Sequence, residues 1–512
     1  MQSVSSAFTA EEYDLDRKIA ESLFVSWKKH VITSHTFTIG VSTIGGGDAI
    51  GINEGAIGGP GLYQYTDESD YLTSLGWERQ LNIPVGGLAK AYAEAKLENT
   101  TGRYLPEYMG GVNPETFTAM LPRRPFIINA GFNYGGIDNL IPQFSGILTD
   151  TPEVDVPNKQ VSLRGADYID YFQNRYLDKD AMFTGFTTDQ VITTLFNNMG
   201  MNTAQYEIDP GLNTINFALL EKGTKYSDVI NQVVEAENGH LYQDEQGVFR
   251  FENRQHWLSS PYTEVQALIR TSDVIDAKSP DDDHIINVVE IKSQIREKQT
   301  EQVIYQTQSS IELATSPETE YFVTYEDPIL EVTNVTIVAN DAEDGTGTDR
   351  SASVTYNKTD FSQATKFMFD NTYSSTIYIT SLIIQGRPAK VSSELYHRAQ
   401  DDSSVTAYEE RPLSIDNNYI QSSSWAQSLA LLLLQSYSEP QNLQDIRIMA
   451  KPRLQLGDLI SWQGNYWRVY GINTVLDPSE GFVQDLKLLT ANLQSYFTIG
   501  ISTIGGADLI AA

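Results

Sequence analysis

Cysteine is absent from the 512 residues, which excludes disulfide bonds, thiolate zinc sites and a cysteine nucleophile. Basic residues are scarce as well, since 35 Lys and Arg oppose 67 Asp and Glu and give a net charge of −32. A chain this acidic cannot hold duplex DNA by neutralising its phosphates, which excludes a tight nucleic-acid binder. The sequence also lacks an apolar run of roughly 18 residues and a basic N-terminal start. Neither a membrane span nor a secretory signal is therefore predicted.

Hydrophobic residues are plentiful by contrast and make up 40% of the chain, enough for packed cores. A length of 512 residues suggests about three or four domains. The 28 Tyr and 20 Phe are typical of β-rich proteins and of protein interfaces. The predicted fold class is α+β, mainly β and multidomain.

Changes in periodicity divide the chain into six segments. They are an N-terminal arm (1–30), a first β domain with a glycine-rich loop at 45–61 (31–158), an α+β domain (159–260), a β domain with a β-sandwich-like insertion at about 310–390 (261–420), a second β domain with a leading helix (421–496) and a C-terminal arm (497–512). Eight glycines between Gly45 and Gly61 exclude a stable helix or a regular strand interior there.

Helical periodicity is clearest at 188–199, 225–237 and 425–437. Thr187 and Gln190 form a capping box ahead of the first of these helices, and Gly200 stands where a left-handed C-terminal cap belongs. An alanine-rich segment, 86–95, and the segment 166–176 are also predicted to be helical. The strands predicted around 241–243 and 248–251 form a hairpin, and 341–349 is predicted as an acidic hairpin loop.

A 14-residue sequence occurs near both ends of the chain. Residues 37–50 and 497–510 are identical at 11 of the 14 positions. Apolar residues alternate with Thr and Gly, as in a half-buried strand, so each copy is either an edge strand of its own domain or an arm that adds to the sheet of a neighbouring subunit. The candidate assembly residues are Phe37, Ile39, Val41, Phe497, Ile499 and Ile501.

Motifs for catalysis or cofactor binding are not recognisable. The glycine-rich loop lacks both the Lys-Ser/Thr ending of a phosphate-binding loop and a G-x-G-x-x-G pattern. His30 and His35 are the one close histidine pair, and Asp281, Asp282 and Asp283 could hold a cation but are more simply a solvated loop. The sequence therefore predicts no catalytic, cofactor-binding or metal-binding residue and no enzymatic activity.

Three motifs resemble the central tail hub (baseplate hub) proteins of tailed bacteriophages. They are Leu97-Glu98-Asn99 followed by Arg103-Tyr104-Leu105-Pro106, Phe144-Ser145-Gly146-Ile147 followed by the strand and carboxylate of 161–167, and Leu454-Gln455-Leu456-Gly457-Asp458 followed by Tyr466-Trp467-Arg468-Val469. Residues 402–434, with Tyr408 to Arg411 ahead of a helix, also fit. The similar regions span roughly 75–260 and 400–490, while the glycine-rich loop, the insertion and the terminal repeat depart from the family pattern.

The resemblance implies that 31–158 and 421–496 are β-barrel-like tube domains, and that three copies form a ring that closes or continues the tail tube. It implies as partners a distal tail or tube protein ring, a tape measure protein and tip or fibre proteins, with DNA passing through without specific binding. The protein would be made in the host cytoplasm and reside in the virion, at the tail tip or baseplate. The alternative is a carbohydrate-binding or receptor-binding tail-tip protein, with Trp462, Tyr466 and Trp467 stacking on sugar rings.

Overall fold

The structure is a computed structural model. It describes residues 1–14, 17–30, 62–178, 181–220, 222–278, 284–439 and 443–491. The predicted fold class is confirmed, since strands in several sheets dominate and helices are few. No helix in this described part of the chain is long and apolar enough to cross a membrane.

The N-terminal β region is built mainly of long antiparallel strands. Its elements are α1 Ser6–Glu11, β1 Lys18–His30, β2 Leu62–Asp67, β3 Leu72–Gln80, β4 Gly87–Leu88, β5 Ala91–Glu98, α2 Pro114–Ala119, β6 Pro125–Tyr134, β7 Ile137–Leu148, β8 Glu153–Asp155 and β9 Gln160–Ala166. The segment predicted as an N-terminal arm thus contributes a strand, β1, which pairs with both β2 and β6.

An α+β body follows. Its elements are α3 Ile169–Gln173, β10 Ala181–Phe183, β11 Phe186–Thr187, α4 Thr188–Asn198, β12 Tyr206–Ile208, β13 Thr214–Ile215, β14 Ala218–Leu220, α5 Tyr226–Glu237, β15 His240–Gln243 and β16 Phe249–Glu252. The capping box of Thr187 with Gln190 and the hairpin of β15 and β16 are confirmed. The left-handed residue after α4 is Gly200, at φ 78°.

Two consecutive parts of the chain make the remaining β structure. The first group is β17 Ala267–Ile269, β18 Val274–Ala277, β19 Val288–Lys298, β20 Gln302–Gln306, β21 Ile311–Leu313, β22 Thr319–Thr324, β23 Ile329–Asn340, β24 Val354–Asp360, β25 Ala364–Asn371, β26 Ile377–Gln400, α6 Asp402–Tyr408 and β27 Pro412–Asp416. The second is α7 Ser423–Tyr437, β28 Leu443–Met449, β29 Leu459–Trp462, β30 Asn465–Asp477 and β31 Gly481–Thr490.

One sheet of 14 described strands joins two β modules. The first module has the strand order β2-β1-β6-β7-β9-β5-β3, and the second has β17-β29-β30-β31-β28-β18. In each module a link of four residues, 68–71 or 270–273, connects the two terminal strands. Such a link spans at most roughly 15 Å, so each sheet must curl until its ends approach. The described pairings form no closed barrel.

The two modules are joined by the antiparallel pairing of β3 with β30. Leu75 to Gln80 lie opposite Leu476 to Gly471 in an unbroken register. The strands are almost 400 residues apart in sequence, and β29 occupies the same edge of β30 only at its other end. The two modules therefore lie side by side in one continuous sheet.

The insertion consists of two sheets around a core of its own. Strands β22, β25 and β24 form one sheet, while β20, β21 and β23 all pair with the long strand β26 in the other. Phe367, Phe369 and Ile379 are among the fully buried side chains between them. Strand β26 is 24 residues long, and its second half pairs with β19. Because Ile291 of β19 lies in the core of the α+β body, the insertion and the body share strand β26.

Two local predictions are wrong. Residues 91–98 form a strand instead of a helix, because Ala91, Ala93, Ala95 and Leu97 are buried on one face of the sheet while the residues between them are exposed. The helix predicted over 166–176 is reduced to Ile169–Gln173. The acidic loop 341–349 does turn back on itself as predicted, since an antiparallel bridge joins Asn340 to Asp349, although β23 and β24 on either side belong to different sheets.

Candidate functional site

All six candidate assembly residues of the terminal repeat lie outside the described residues, as do His35 and Asp281 to Asp283. The glycine-rich loop lies outside them too. In the described part, no group of three or more His, Asp or Glu could hold a metal ion. The candidate functional site is therefore the pair of joined β modules, with its solvent-exposed face and the buried polar contacts that hold the modules together.

Arg103 and Tyr104 of the first sequence motif donate hydrogen bonds to the link between β2 and β3. Glu68, fully buried in that link, accepts hydrogen bonds from Trp27 Nε1 at 2.6 Å and Tyr104 Oη at 2.6 Å. Arg103 donates to the same carboxylate from Nε at 3.1 Å and Nη2 at 3.0 Å. Burial, together with the hydrogen bond to Glu68, raises the pKa of Tyr104, so its hydroxyl stays protonated and donates. The motif residues thus have a structural task.

The other two motifs also supply buried polar contacts. Asp167 accepts hydrogen bonds from the Ala91 amide at 2.8 Å and the Ile169 amide at 3.2 Å, and burial raises its pKa to about 7. Arg468 donates to the carbonyls of Tyr262 at 2.9 Å and Gly457 at 2.8 Å. Burial lowers the pKa of Arg468 to about 10, so it remains charged at neutral pH.

A row of polar side chains crosses the junction on the solvent face of the sheet. We define the polar row as Arg447, Asp485, Asn473, Glu78 and Tyr92, which are successive register partners on β28, β31, β30, β3 and β5. Arg447 forms a bidentate pair with Asp485, at 2.7 Å from Nε and 2.9 Å from Nη2. The row shows that the two modules present one common face.

This common face carries acidic side chains that form no ion pair among the described residues. Glu78 and its neighbour Glu94 on β5 are exposed, and neither has an ion-pair partner among the residues that the structure describes. Beside them lies an open groove of about 570 Å³ between the sheet and α5, lined by polar residues that include Lys90, Asp228 and Gln232. The lining favours polar over apolar contacts.

A buried ion pair lies where the two modules and the body meet. Arg79 of β3 pairs with Glu245, which lies in the turn of the β15–β16 hairpin, and both side chains are at most 4% exposed. Gln455, from the loop before β29, donates to the other carboxylate oxygen of Glu245 at 2.7 Å. Glu245 thus bonds to both modules at once. Sequence reasoning missed it, since Asp244-Glu245-Gln246-Gly247 has the composition of a solvated turn.

A second polar cluster joins the body to the second module. His256 Nδ1 lies 2.7 Å from Asp209, and its Nε2 lies 3.3 Å from Glu252. Glu252 also accepts hydrogen bonds from Tyr242 at 2.7 Å and Trp257 at 2.9 Å. Tyr262 and Arg250 are the other titratable groups that act on the imidazole, the Tyr262 ring centre lying 4.3 Å away. Burial would lower the pKa of His256, but the Asp209 hydrogen bond and the two carboxylate charges outweigh it and raise that pKa.

The raised pKa predicts a pH-dependent contribution of His256 to stability. A base whose pKa is higher in the folded chain than in the unfolded chain makes its full contribution to folding stability at a pH below its unfolded-state pKa of about 6.5. That contribution disappears as the pH rises through the folded-state pKa. Relative to His256→Gln, the wild type should be more stable by about 1.5 kcal/mol at pH 5.5 and nearly equal at pH 9, by urea denaturation. His397→Gln is the control. An equal difference at both pH values would contradict the prediction.

The predicted sugar-stacking residues are mostly inaccessible. Trp462 is 6% exposed and Trp467 is 8% exposed, because both pack into the core of the second module. Tyr466 alone faces solvent, at 42% exposed. Their alternation in the β29–β30 hairpin therefore reflects packing of a curled sheet, and these three residues form no shared platform.

Scans against protein-family models and against curated proteins find no match. Among solved structures, the chain is similar to the 43 kDa tail protein of prophage MuSo2 from Shewanella oneidensis, with 10% identity, a TM-score of 0.44 and coverage of 83% of this chain and 96% of that one. The tail protein from Neisseria meningitidis MC58 gives 9% identity, a TM-score of 0.44, and coverage of 84% and 94%. Prophage tail protein gp18 from Listeria monocytogenes EGD-e gives 12% identity, a TM-score of 0.40, and coverage of 84% of this chain and 92% of that one. All three are tail proteins.

Proposed function

We propose that the chain is a structural protein of a phage-type tail, a hub of which three copies form a ring that closes or continues the tail tube. The observation that carries the proposal is the pairing of β3 with β30, which places two curled β modules side by side in one chain. Further support comes from the order of the three sequence motifs. Each motif supplies buried contacts that hold a module together or join it to the body.

Symmetry explains why two modules in one chain suit this role. A ring of three copies would present six similar modules, and could therefore stack on a sixfold ring of distal tail or tube proteins. The same ring could hold a tape measure protein along its axis and tip or fibre proteins on its outer side. The insertion, with a separate core, is the natural candidate for these outer contacts. The proposed role is purely structural and requires no catalysis.

The common face of the two modules is the surface that we assign to the channel. DNA must pass without being held, and acidic walls repel phosphates. Glu78 and Glu94 are exposed on this face next to the junction of the modules and form no ion pair among the described residues, although the exposed Arg164 lies opposite Glu94 on β9. The net charge of −32 is consistent with a lining of this sign.

Reversing these two charges should slow the release of DNA. Particles that carry Glu78→Lys together with Glu94→Lys should eject DNA about tenfold more slowly, since the new cations hold phosphates. Time-resolved dye uptake by released DNA measures the rate, and Glu312→Lys with Glu318→Lys in the insertion is the charge-matched control. Equal ejection rates for the two variants would exclude these carboxylates from the channel wall.

The copy number and position of the protein test the ring itself. Electron microscopy of the assembled particle should show the chain on the tail axis, and mass measurement should give three copies per particle. A position off the axis, or a copy number that is not a multiple of three, would contradict the proposal.

A further inference from the structure

The outer face of helix α7 carries no charge. Along this 15-residue helix the inner side is buried against β19 and β26, with Leu429, Leu433 and Tyr437 in the core of the body. The outer side consists of uncharged residues, two of them large and apolar. The exposed positions are Ser423, Ser424, Gln427, Ser428, Leu431, Leu432 and Gln435. Leu431 is 55% exposed and Leu432 is 42% exposed.

Such a face is unusual in this chain. Residues 417–438 form a run of 22 positions without Asp, Glu, Lys or Arg, the longest in a sequence of which 20% is charged. A surface helix ordinarily places charged residues opposite its buried stripe, because they keep that side in water. Here the solvent side of α7 shares with interface cores the depletion of charged residues, and it exposes two leucines.

The charge of the chain indicates what covers this face. Two copies that each carry −32 repel one another over most of their surfaces. Close approach costs least electrostatically where the contributing surfaces lack unpaired carboxylates, and α7 provides such a surface over a length of about 22 Å. We propose that the outer face of α7 is a contact between copies of this chain. The inference rests on the proposed function, because it names the surface through which the ring closes.

A ring contact is heterologous, so the face of α7 meets a different patch on the next copy. Placing two carboxylates in this contact leaves buried, unpaired like charges, which is costly. The variant Leu431→Glu with Leu432→Glu should therefore weaken self-association at least about 100-fold, as measured by the concentration dependence of the oligomer in light scattering or mass photometry. Both side chains face solvent in the single chain, so the monomer should keep its circular dichroism spectrum and its melting temperature.

Two matched controls separate this contact from a general effect of charge. Thr355→Glu with Asn357→Glu adds the same charge on β24, where both residues are exposed, and should leave association unchanged. Because the chain has no cysteine, Gln427→Cys introduces a single thiol. Its maleimide labelling should be at least about tenfold slower in the oligomer than in the diluted monomer, while the thiol of the separate variant Thr355→Cys should react equally in both.

The outcomes distinguish the inference from the proposed function. A trimer that persists unchanged with both glutamates, with the thiol of Gln427→Cys labelled as fast as that of Thr355→Cys, would overturn the α7 contact and leave the ring intact. A wild-type chain that stays monomeric at all concentrations and in the particle would contradict the ring as well. Protection of the thiol of Gln427→Cys only in complexes with a different tail protein would overturn the assignment to a second copy.

Discussion

Replacing Glu245 by alanine should lower the free energy of unfolding by about 3–5 kcal/mol, as expected when one partner of a buried ion pair is removed. The change leaves the Arg79 guanidinium, 4% exposed, without its carboxylate and removes the acceptor of the Gln455 amide. Because Glu245 bonds to both β modules, hydrogen exchange should also become faster in β3 and around residue 455. Urea denaturation gives the loss in stability, and mass spectrometry of exchanged peptides gives its location.

A double variant distinguishes an unpaired charge from a lost packing contact. Arg79→Met combined with Glu245→Leu removes both charges and keeps the volume, so its stability should lie within about 1 kcal/mol of the wild type. Removing an exposed pair instead, with Arg387→Ala next to Glu331, should cost less than about 1 kcal/mol. If the double variant were as unstable as Glu245→Ala alone, the ion pair would not be the cause.

The helices show which parts of the fold were predictable from sequence. α4, α5 and α7 combine an apolar stripe of helical period with defined ends, and each was predicted to within about two residues. Over residues 86–95 the alanine content outweighed the alternation of apolar and polar residues in the prediction of a helix, although Ala91–Glu98 forms strand β5. Strands β3 and β9 pair with β5 on either side, and Ala91, Ala93 and Ala95 face the core of the first module. Tertiary packing therefore decided against the intrinsic preference.

Long-range features were beyond the reach of one sequence. The β3–β30 pairing joins segments that have no shared pattern, and nothing in a strand's own residues names its partner. Strand β26 runs from Ile377 to Gln400 past Gly386 and Pro388, residue types that normally interrupt a strand, and past irregular pairings with β23. The sequence motifs included Arg103, Tyr104 and Arg468. No pattern in the sequence identified Glu68, the buried carboxylate to which Arg103 and Tyr104 donate.

Glu68 is the second position at which a single change should have a large effect. Its carboxylate accepts four hydrogen bonds, from Trp27, Tyr104 and Arg103, inside the link that connects the terminal strands of the first module. Glu68→Leu leaves two buried donors and a cation, 20% exposed, without an acceptor, and should cost about 3–5 kcal/mol. Urea denaturation followed by circular dichroism measures the loss.

The location of the loss tests whether Glu68 holds the curl of the first module. If it does, Glu68→Leu should speed hydrogen exchange in β1 and β2 far more than in β30 and β31, since only the first module depends on the 68–71 link. Glu98→Ala, which truncates an exposed carboxylate on β5, should change neither stability nor exchange. Uniformly faster exchange in both modules would show instead that the two curled sheets unfold as one unit. Pairing between β3 and β30 would then stabilise the first module more than the link does.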